Sequence, residues 1–235
     1  MTGQQFNKPN RPFLLLVLGC SMLCFVVTAW AGSPVQPSGA TAPLIKLTSQ
    51  EQQAVENKEV IIREQPTQGK PGKAFAAVAI IEARREVIRD IVTDYQSYPE
   101  FMPNVSRIDI LEQDKSTAVL NYLLSLPLGK SKKYRIRLES SEPDEQTSLI
   151  QWQLQPWPEL KPAETIRDTS GFWRIETLEN GRSLVFYHVY TDPGKIPFGL
   201  GWIVDFLSKD SVPEVLAKTR ERAERMNALL TAQEN

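Results

Sequence analysis

The 235-residue chain lacks the residue types on which several large classes of enzyme depend. It has a single histidine, His188, and only two cysteines, Cys20 and Cys24. One histidine cannot build a multi-histidine metal site, so we expect no metal, and zinc least of all. The sequence contains no Gly-x-Ser-x-Gly motif, and its 12 glycines are scattered rather than gathered into a phosphate-binding loop. Nucleophilic hydrolysis and nucleotide chemistry are therefore disfavoured, and no cofactor is predicted.

An excess of charge of either sign is also missing. The chain carries 27 Lys and Arg against 28 Asp and Glu, a formal net charge of −1. Nucleic-acid binding depends on a basic surface, so no nucleic-acid partner is predicted. With 41% hydrophobic and 23% charged residues, the composition is that of a globular protein with one well-filled core.

The first 31 residues have the pattern of a secretory signal peptide. Lys8 and Arg11 precede an apolar run over residues 13–27, and a small-x-small site ends at Ala31. Cleavage after Ala31 would leave 25 basic and 28 acidic residues, which is 25 − 28 = −3. The signal-peptide pattern predicts export to the periplasm or another extracytoplasmic compartment. Both cysteines would be removed, so the mature domain must be held by its core rather than by disulfides.

Two alternatives to cleavage stay open. Residues 13–31 are nearly as long as the roughly 20 residues that span a bilayer, which would make the segment an uncleaved membrane anchor. The sequence VLGC at residues 17–20 loosely resembles a lipoprotein processing site, although the apolar run continues past Cys20. Residues 32–47, rich in Pro, Ser, Gly and Ala, predict a flexible linker, and residues 48–235 the folded domain.

Hydrophobic periodicity predicts an α+β fold. A capping box at Thr48 and Glu51 starts a short helix, and Val87, Ile88, Ile91 and Val92 have helical spacing in a second one. Alternation of apolar and polar residues is typical of strands and is clearest at 134–138 and 150–154. Strands are predicted at 58–64, 75–83, 116–126, 134–138, 150–154, 164–177 and 183–191. A final amphipathic helix starts near residue 211, with an apolar stripe at Val212, Val215, Leu216, Thr219, Ala223, Met226 and Leu230.

Three stretches carry a family resemblance. They are DYQSYPEFMP at residues 94–103, DTSGFWR at 168–174 and SVPEVL at 211–216. With these stretches in this order, the chain resembles the START-like (SRPBCC) superfamily from about residue 58 to 230, in particular its polyketide cyclase/dehydrase and coenzyme-Q-binding START branch. The resemblance implies a helix-grip fold, in which a curved antiparallel sheet wraps around a long carboxyl-terminal helix and two short helices follow the first long strand.

The resemblance also implies a cavity between sheet and helix that holds a hydrophobic small molecule, such as a lipid, a quinone or an isoprenoid-like compound, as in a carrier or sensor. A cyclase- or dehydratase-like enzyme using the same cavity is the first alternative. An envelope interaction module with a closed cavity is the second. The candidate cavity residues are Tyr134, Ile136, Trp152, Trp173, His188, Val215, Leu216, Thr219 and Met226.

His188 and two apolar segments have competing interpretations. His188 could donate a hydrogen bond to a ligand, but a locally satisfied strand histidine is favoured. Trp157, Leu160, Trp202 and Phe206 are candidates for a ligand gate or a peripheral membrane contact, or they pack on each other to close one end of the domain. Lys130, Lys132 and Lys133 predict a solvated hairpin tip, with contact to anionic head groups as the alternative.

Overall fold

The structure, a computed structural model, describes residues 45–194 and 211–234. The described elements alternate between helices and long strands in an α+β arrangement. They are α1 (Ser49–Glu56), β1 (Ile61–Gln65), β2 (Lys73–Ile81), α2 (Arg85–Thr93), α3 (Tyr98–Phe101), β3 (Val105–Gln113), β4 (Thr117–Leu126), β5 (Lys130–Asp144), β6 (Thr147–Gln155), β7 (Asp168–Thr177), β8 (Ser183–Asp192) and α4 (Ser211–Glu234).

All eight described strands form one antiparallel sheet in the order β1-β2-β8-β7-β6-β5-β4-β3. The strands from β3 to β8 follow one another as a meander, and β2 joins the last of them. The chain therefore has to cross from β2 to β3 over most of the sheet, and it does so through α2 and α3. Helix α2 contacts β6, β7 and α4, whereas α3 contacts β3.

The main hydrophobic core lies between one face of the sheet and the helices α2 and α4. Ile81, Ile88, Leu120, Ile150 and Leu216 are fully buried there. These residues come from three strands and two helices but belong to one cluster, so sheet and helices share a single core. Burial of this apolar surface supplies the main stabilisation of such a fold. The predicted helix-grip α+β fold is thereby confirmed.

The inward face of α4 differs from the predicted stripe at its carboxyl end. Val212, Leu216, Thr219 and Ala223 are buried as predicted, but Met226 is 41% exposed. Asn227 takes the inward position instead: its Oδ1 accepts a hydrogen bond from the backbone N–H of Arg84 at 3.3 Å, and its Nδ2 donates to the carbonyl of Glu82. Asn227 follows Ala223 by about one helical turn, so it continues the inward face beyond Ala223.

A smaller cluster covers the other face of the sheet. Val55 of α1 packs there with Val78 and Phe186, and Ile45 and Leu47 of the predicted linker join it. The capping box of α1 is confirmed, since Thr48 Oγ1 accepts from the backbone N–H of Glu51 and the Glu51 carboxylate accepts from the backbone N–H of Thr48. The hydrogen bond from Arg63 is the first cause that lowers the pKa of Glu51 to about 2.

One predicted strand is shorter than expected. Strand β7 begins at Asp168 rather than at 164, because the preceding residues form a loop whose carbonyls at Ala163 and Thr165 accept hydrogen bonds from Lys132 Nζ at 3.0 and 2.7 Å. Lys132 is buried, which corrects its prediction as part of a solvated tip. In the described part of the chain no helix is long and apolar enough to cross a membrane. The predicted signal peptide at 1–31 lies outside the described residues.

Candidate functional site: an apolar cavity between sheet and helices

A cavity of about 150 Å³ lies between the inner face of the sheet, the segment around α3 and the first turns of α4. The described residues that line it are mostly apolar or aromatic. They are Tyr98, Met102, Pro103, Asn104, Val105, Tyr122, Leu124, Tyr134, Ile136, Leu138, Trp152, Ile166, Thr169, Trp173, Tyr187, Val189, Thr191, Ser211 and Val215.

Strand periodicity explains which residues reach the wall. Tyr134, Ile136 and Leu138 are alternate residues of β5, and Tyr187 and Val189 are alternate residues of β8. Successive side chains of a strand point to opposite faces, so each strand contributes every second residue. Tyr98, the first residue of α3, and Met102, which directly follows this helix, also line the cavity, so the stretch DYQSYPEFMP at 94–103 contributes to the wall.

Gly171 explains the Gly-x-Trp pattern of β7. It is the cross-strand partner of Trp152, and a Cβ atom at this position would overlap the indole of Trp152 and the carbonyl oxygen of His188. The absence of a side chain lets the Trp152 ring lie across β7. Two residues on, Trp173 packs against Tyr187 with ring centroids 4.4 Å apart. Glycine and tryptophan therefore build the same stretch of wall.

Aromatic side chains form two patches of the wall. Tyr122 and Tyr134 are cross-strand partners whose rings stack with centroids 5.0 Å apart, and Tyr98 meets Tyr122 edge to face. In the second patch, Tyr187 contacts both Trp173 and Trp152, with ring centroids 4.4 and 5.8 Å away. Such contacts stabilise the wall beyond the area they bury.

Burial keeps the tyrosines of the wall neutral. Desolvation is the largest cause that raises the pKa of Tyr98, Tyr122, Tyr134 and Tyr187, and the neighbouring tyrosines raise the pKa of Tyr122 and Tyr134 further. Near neutral pH these groups can donate and accept hydrogen bonds but carry no charge. None of the described lining residues has a carboxylate, ammonium or guanidinium group.

Five of the predicted cavity residues lie on the wall: Tyr134, Ile136, Trp152, Trp173 and Val215. Leu216 and Thr219 are fully buried in α4 but belong to the packed core rather than to the described wall, and Met226 is exposed. Contact of any of these residues with a ligand stays a prediction.

His188 is not part of the wall. Its neighbours Tyr187 and Val189 face the cavity, so His188 faces the opposite side of the sheet, where it stacks on Phe172 with centroids 5.4 Å apart. Burial there lowers its pKa. His188 thus lies off the described wall, in the position of a packed strand histidine, and its contact with a ligand stays a prediction.

Trp157 is also placed away from the described wall. It is half-buried, with the guanidinium carbon of Arg135 4.9 Å from its ring centroid. Arg135 lies between the wall residues Tyr134 and Ile136 and so belongs to the other face of the sheet. Leu160 is half-buried in the same loop and does not line the described wall. Trp202 and Phe206 lie outside the described residues.

Several wall residues were not predicted as cavity residues from the sequence. The most informative are Tyr98, Met102, Tyr122, Tyr187 and Val189. The strand residues could have been found by extending the alternation of β5 to the neighbouring strands. Tyr98 had no such signal, because its position depends on the hydrogen bond of 2.6 Å from its hydroxyl to the carbonyl of Val92.

The described part of the chain holds no group of three or more His, Cys, Asp and Glu residues placed to bind a metal. The fold and cavity define a helix-grip protein with an apolar interior. Residues 81–218 match the family described as polyketide cyclase / dehydrase and lipid transport. Since this match covers more than half of the chain, the protein belongs to that family.

Solved structures show the same fold at low sequence identity. The chain is similar to human StAR-related lipid transfer protein 5, with a TM-score of 0.62, 14% identity, and coverage of 78% of this chain and 86% of that one. It is also similar to a STAR-related lipid transfer protein from Xanthomonas axonopodis, with a TM-score of 0.59, 15% identity, and coverage of 77% and 97%. Among curated proteins no relative matches the sequence. Family and fold together favour a hydrophobic ligand.

Proposed function

We propose that the protein binds a hydrophobic small molecule, of the lipid, quinone or isoprenoid type, in the cavity between sheet and α4 and acts as a carrier or sensor. The observation that carries this proposal is a cavity whose described wall is mostly apolar and aromatic and has no charged side chain. Burial of apolar surface would drive binding at about 25 cal/mol per Å². The tyrosine, threonine and asparagine side chains of the wall would orient the ligand.

The described wall has no charged side chain, so it offers no carboxylate or ammonium group that could act as a general acid or base. A general acid or base works best when its pKa lies near the operating pH, whereas burial moves the pKa of the wall tyrosines away from neutrality. We therefore place a carrier or sensor ahead of a cyclase- or dehydratase-like enzyme. An interaction module with a closed cavity is the remaining alternative.

Native mass spectrometry of the purified protein, followed by solvent extraction, tests this order. A co-purifying hydrophobic compound supports a carrier or sensor. Turnover of an added polyketide-like substrate by an empty protein would favour the enzyme, and a protein that stays empty with every hydrophobic compound offered would favour the interaction module.

Two variants of β8 tie the bound compound to this cavity. Val189 lines the wall, so Val189→Phe should fill part of the space and reduce the amount of bound compound. Leu184 lies on the opposite face of the same strand, half-buried in the smaller cluster, and Leu184→Phe is the matched control. Equal cargo in both variants would contradict binding in the cavity.

Contact with an anionic membrane surface is part of this proposal. The hairpin tip between β4 and β5 carries Leu128, which is 77% exposed, and the exposed Lys130 and Lys133. Leu128 has φ 61°, a left-handed conformation that asparagine or glycine adopts at lower cost. A leucine in such a position is poorly explained by stability alone. An apolar side chain flanked by cations suits the interface of an anionic bilayer.

Co-sedimentation with vesicles tests this contact. Leu128→Asn should leave folding intact or slightly improved, because the turn is relieved, while it reduces binding to vesicles that contain phosphatidylserine. The exposed Leu111→Asn, on β3, is the control. Unchanged vesicle binding by Leu128→Asn would remove the tip from the proposal.

Export through a cleaved signal peptide is proposed on the sequence pattern of residues 1–31 alone. Amino-terminal sequencing of protein recovered from a cell fraction outside the cytoplasm should begin at Gly32. Recovery of the full-length precursor in membranes would instead support the uncleaved anchor.

A further inference from the structure

Three tyrosines of the cavity wall have hydroxyl groups without a protein partner among the described residues. Tyr98 donates its hydroxyl proton to the carbonyl of Val92, but the structure shows no such bond for Tyr122, Tyr134 or Tyr187. Among the side-chain nitrogen and oxygen atoms of the described residues, only Thr219 Oγ1 and Arg220 Nε are both inaccessible to solvent and without a hydrogen-bond partner. The three hydroxyls are therefore both unpaired and next to open space.

The three tyrosines come from different parts of the sheet but serve the same cavity. Tyr122 and Tyr134 stack on neighbouring strands, and Tyr187 belongs to the second aromatic patch. All three side chains line the described wall of this cavity. A ligand that enters the cavity would therefore meet hydroxyl groups from three strands.

Charge narrows the chemistry of the ligand. A carboxylate, phosphate or ammonium group brought into the cavity would lose its hydration and find no opposite charge on the described wall. Burying an unpaired charge is far more costly than burying a neutral oxygen that accepts a hydrogen bond. The buried part of the ligand is therefore neutral.

Size and wall composition narrow it further. A cavity of about 150 Å³ accommodates a group of about the size of benzene. The stacked pair Tyr122 and Tyr134 and the patch of Trp152, Trp173 and Tyr187 present flat aromatic surfaces to it. Flat rings pack well against such surfaces.

From these observations we infer that Tyr122, Tyr134 and Tyr187 form a neutral hydrogen-bonding site for a carbonyl oxygen carried on a ring. The inference rests on the proposed function, binding of a hydrophobic molecule in this cavity, and names the part of that molecule which the cavity selects. A tyrosine hydroxyl donates to the carbonyl oxygen while the ring lies against the aromatic patches. Any longer apolar portion of the ligand would extend from the ring.

Titration calorimetry at pH 7 with three small probes tests the site. Acetophenone and ethylbenzene share a carbon skeleton and differ in the carbonyl oxygen, and benzoate replaces the methyl ketone by a charged carboxylate. The triple variant Tyr122→Phe, Tyr134→Phe, Tyr187→Phe keeps all the rings. It should bind acetophenone about 2- to 12-fold more weakly for each hydrogen bond lost, while its affinity for ethylbenzene stays the same or rises.

Tyr190→Phe is the control, because the hydroxyl of Tyr190 donates to the carbonyl of Pro71 and the residue does not line the described wall. It should leave the affinity for both neutral probes unchanged. Equal weakening for acetophenone and ethylbenzene in the triple variant would overturn the inference. So would binding of benzoate as tight as that of acetophenone, or failure of the wild type to bind acetophenone.

Failure of this inference is distinguishable from failure of the proposed function. A co-purified compound that is lost in Val189→Phe would still establish binding in the cavity, even if the tyrosine variants showed no preference for the carbonyl probe. If no hydrophobic compound binds the wild type in the mass spectrometry experiment, the function itself is wrong.

Discussion

At the scale of single residues, Gly171 is a position where adding one methyl group should destabilise the fold. Gly171→Ala places a methyl group where the Trp152 ring and the His188 carbonyl already lie. Strand and ring must move apart, and we expect the free energy of unfolding to fall by about 1–3 kcal/mol. Chemical denaturation measures this change. Ser170→Ala, on the same strand, is the control, and equal stability of the two variants would contradict the proposed packing.

Substitution of a second residue, Thr219, should instead stabilise the protein. Thr219 is fully buried in α4, and its Oγ1 has no hydrogen-bond partner among the described residues. An unpaired buried hydroxyl is costly, so Thr219→Val should raise the free energy of unfolding by about 1 kcal/mol. Thr231→Val on the exposed end of the same helix removes a hydroxyl that donates to the carbonyl of Asn227, and should not stabilise the protein. A destabilised Thr219→Val would indicate that this hydroxyl has a partner.

At the scale of elements, α4 depends on small residues where it meets the sheet. Ala223 is completely buried in the main core, whereas Ala228 is exposed on the same helix. Ala223→Leu should therefore lower the free energy of unfolding by about 1–3 kcal/mol through overpacking, while Ala228→Leu should leave it nearly unchanged. Thermal unfolding followed by circular dichroism compares the two. Equal effects would mean that the helix is not seated on the sheet at Ala223.

The elements also show which structural features local sequence patterns can predict. The alternation at 134–138 and the capping box at Thr48 identify β5 and α1, because both signals are local. The sequence pattern assigns Met226 to the inward face, but Asn227 is the residue that reaches the sheet: it accepts a hydrogen bond from the backbone N–H of Arg84 and donates one to the carbonyl of Glu82, both distant in sequence. Lys132 was predicted as exposed because its partners lie some 30 residues further along the chain. Such long-range contacts leave no trace in local periodicity.

The candidate site was predictable to a similar extent. Tyr134, Ile136 and Trp152 follow from strand alternation, and Trp173 from the Gly-x-Trp stretch. For His188 the sequence leaves two interpretations, because both faces of β8 are apolar or aromatic, and the face on which it lies cannot be read without knowing that Tyr187 faces inward. The hydrogen-bonding state of the tyrosines requires atomic positions.

At the scale of the whole molecule, the buried tyrosines should make the folded state lose stability at alkaline pH. Desolvation is the largest cause that raises the pKa of Tyr95 to about 12, and it raises the pKa of Tyr98, Tyr122, Tyr134 and Tyr187 as well. The unfolded chain releases these protons near pH 10, whereas the folded state retains them. Above pH 10 the unfolded state therefore binds fewer protons, and the free energy of unfolding must fall as pH rises.

We accordingly expect full stability up to about pH 10, followed by cooperative unfolding as the pH rises towards the pKa values of the folded state. Tyrosinate absorbance and near-ultraviolet circular dichroism should change together in one steep step. The guanidinium-unfolded protein is the reference and should titrate gradually around pH 10. The triple variant Tyr122→Phe, Tyr134→Phe, Tyr187→Phe removes three of the groups responsible, so its unfolding should move to higher pH. Gradual titration of the native protein near pH 10 with its circular dichroism intact would show that these tyrosines are open to water.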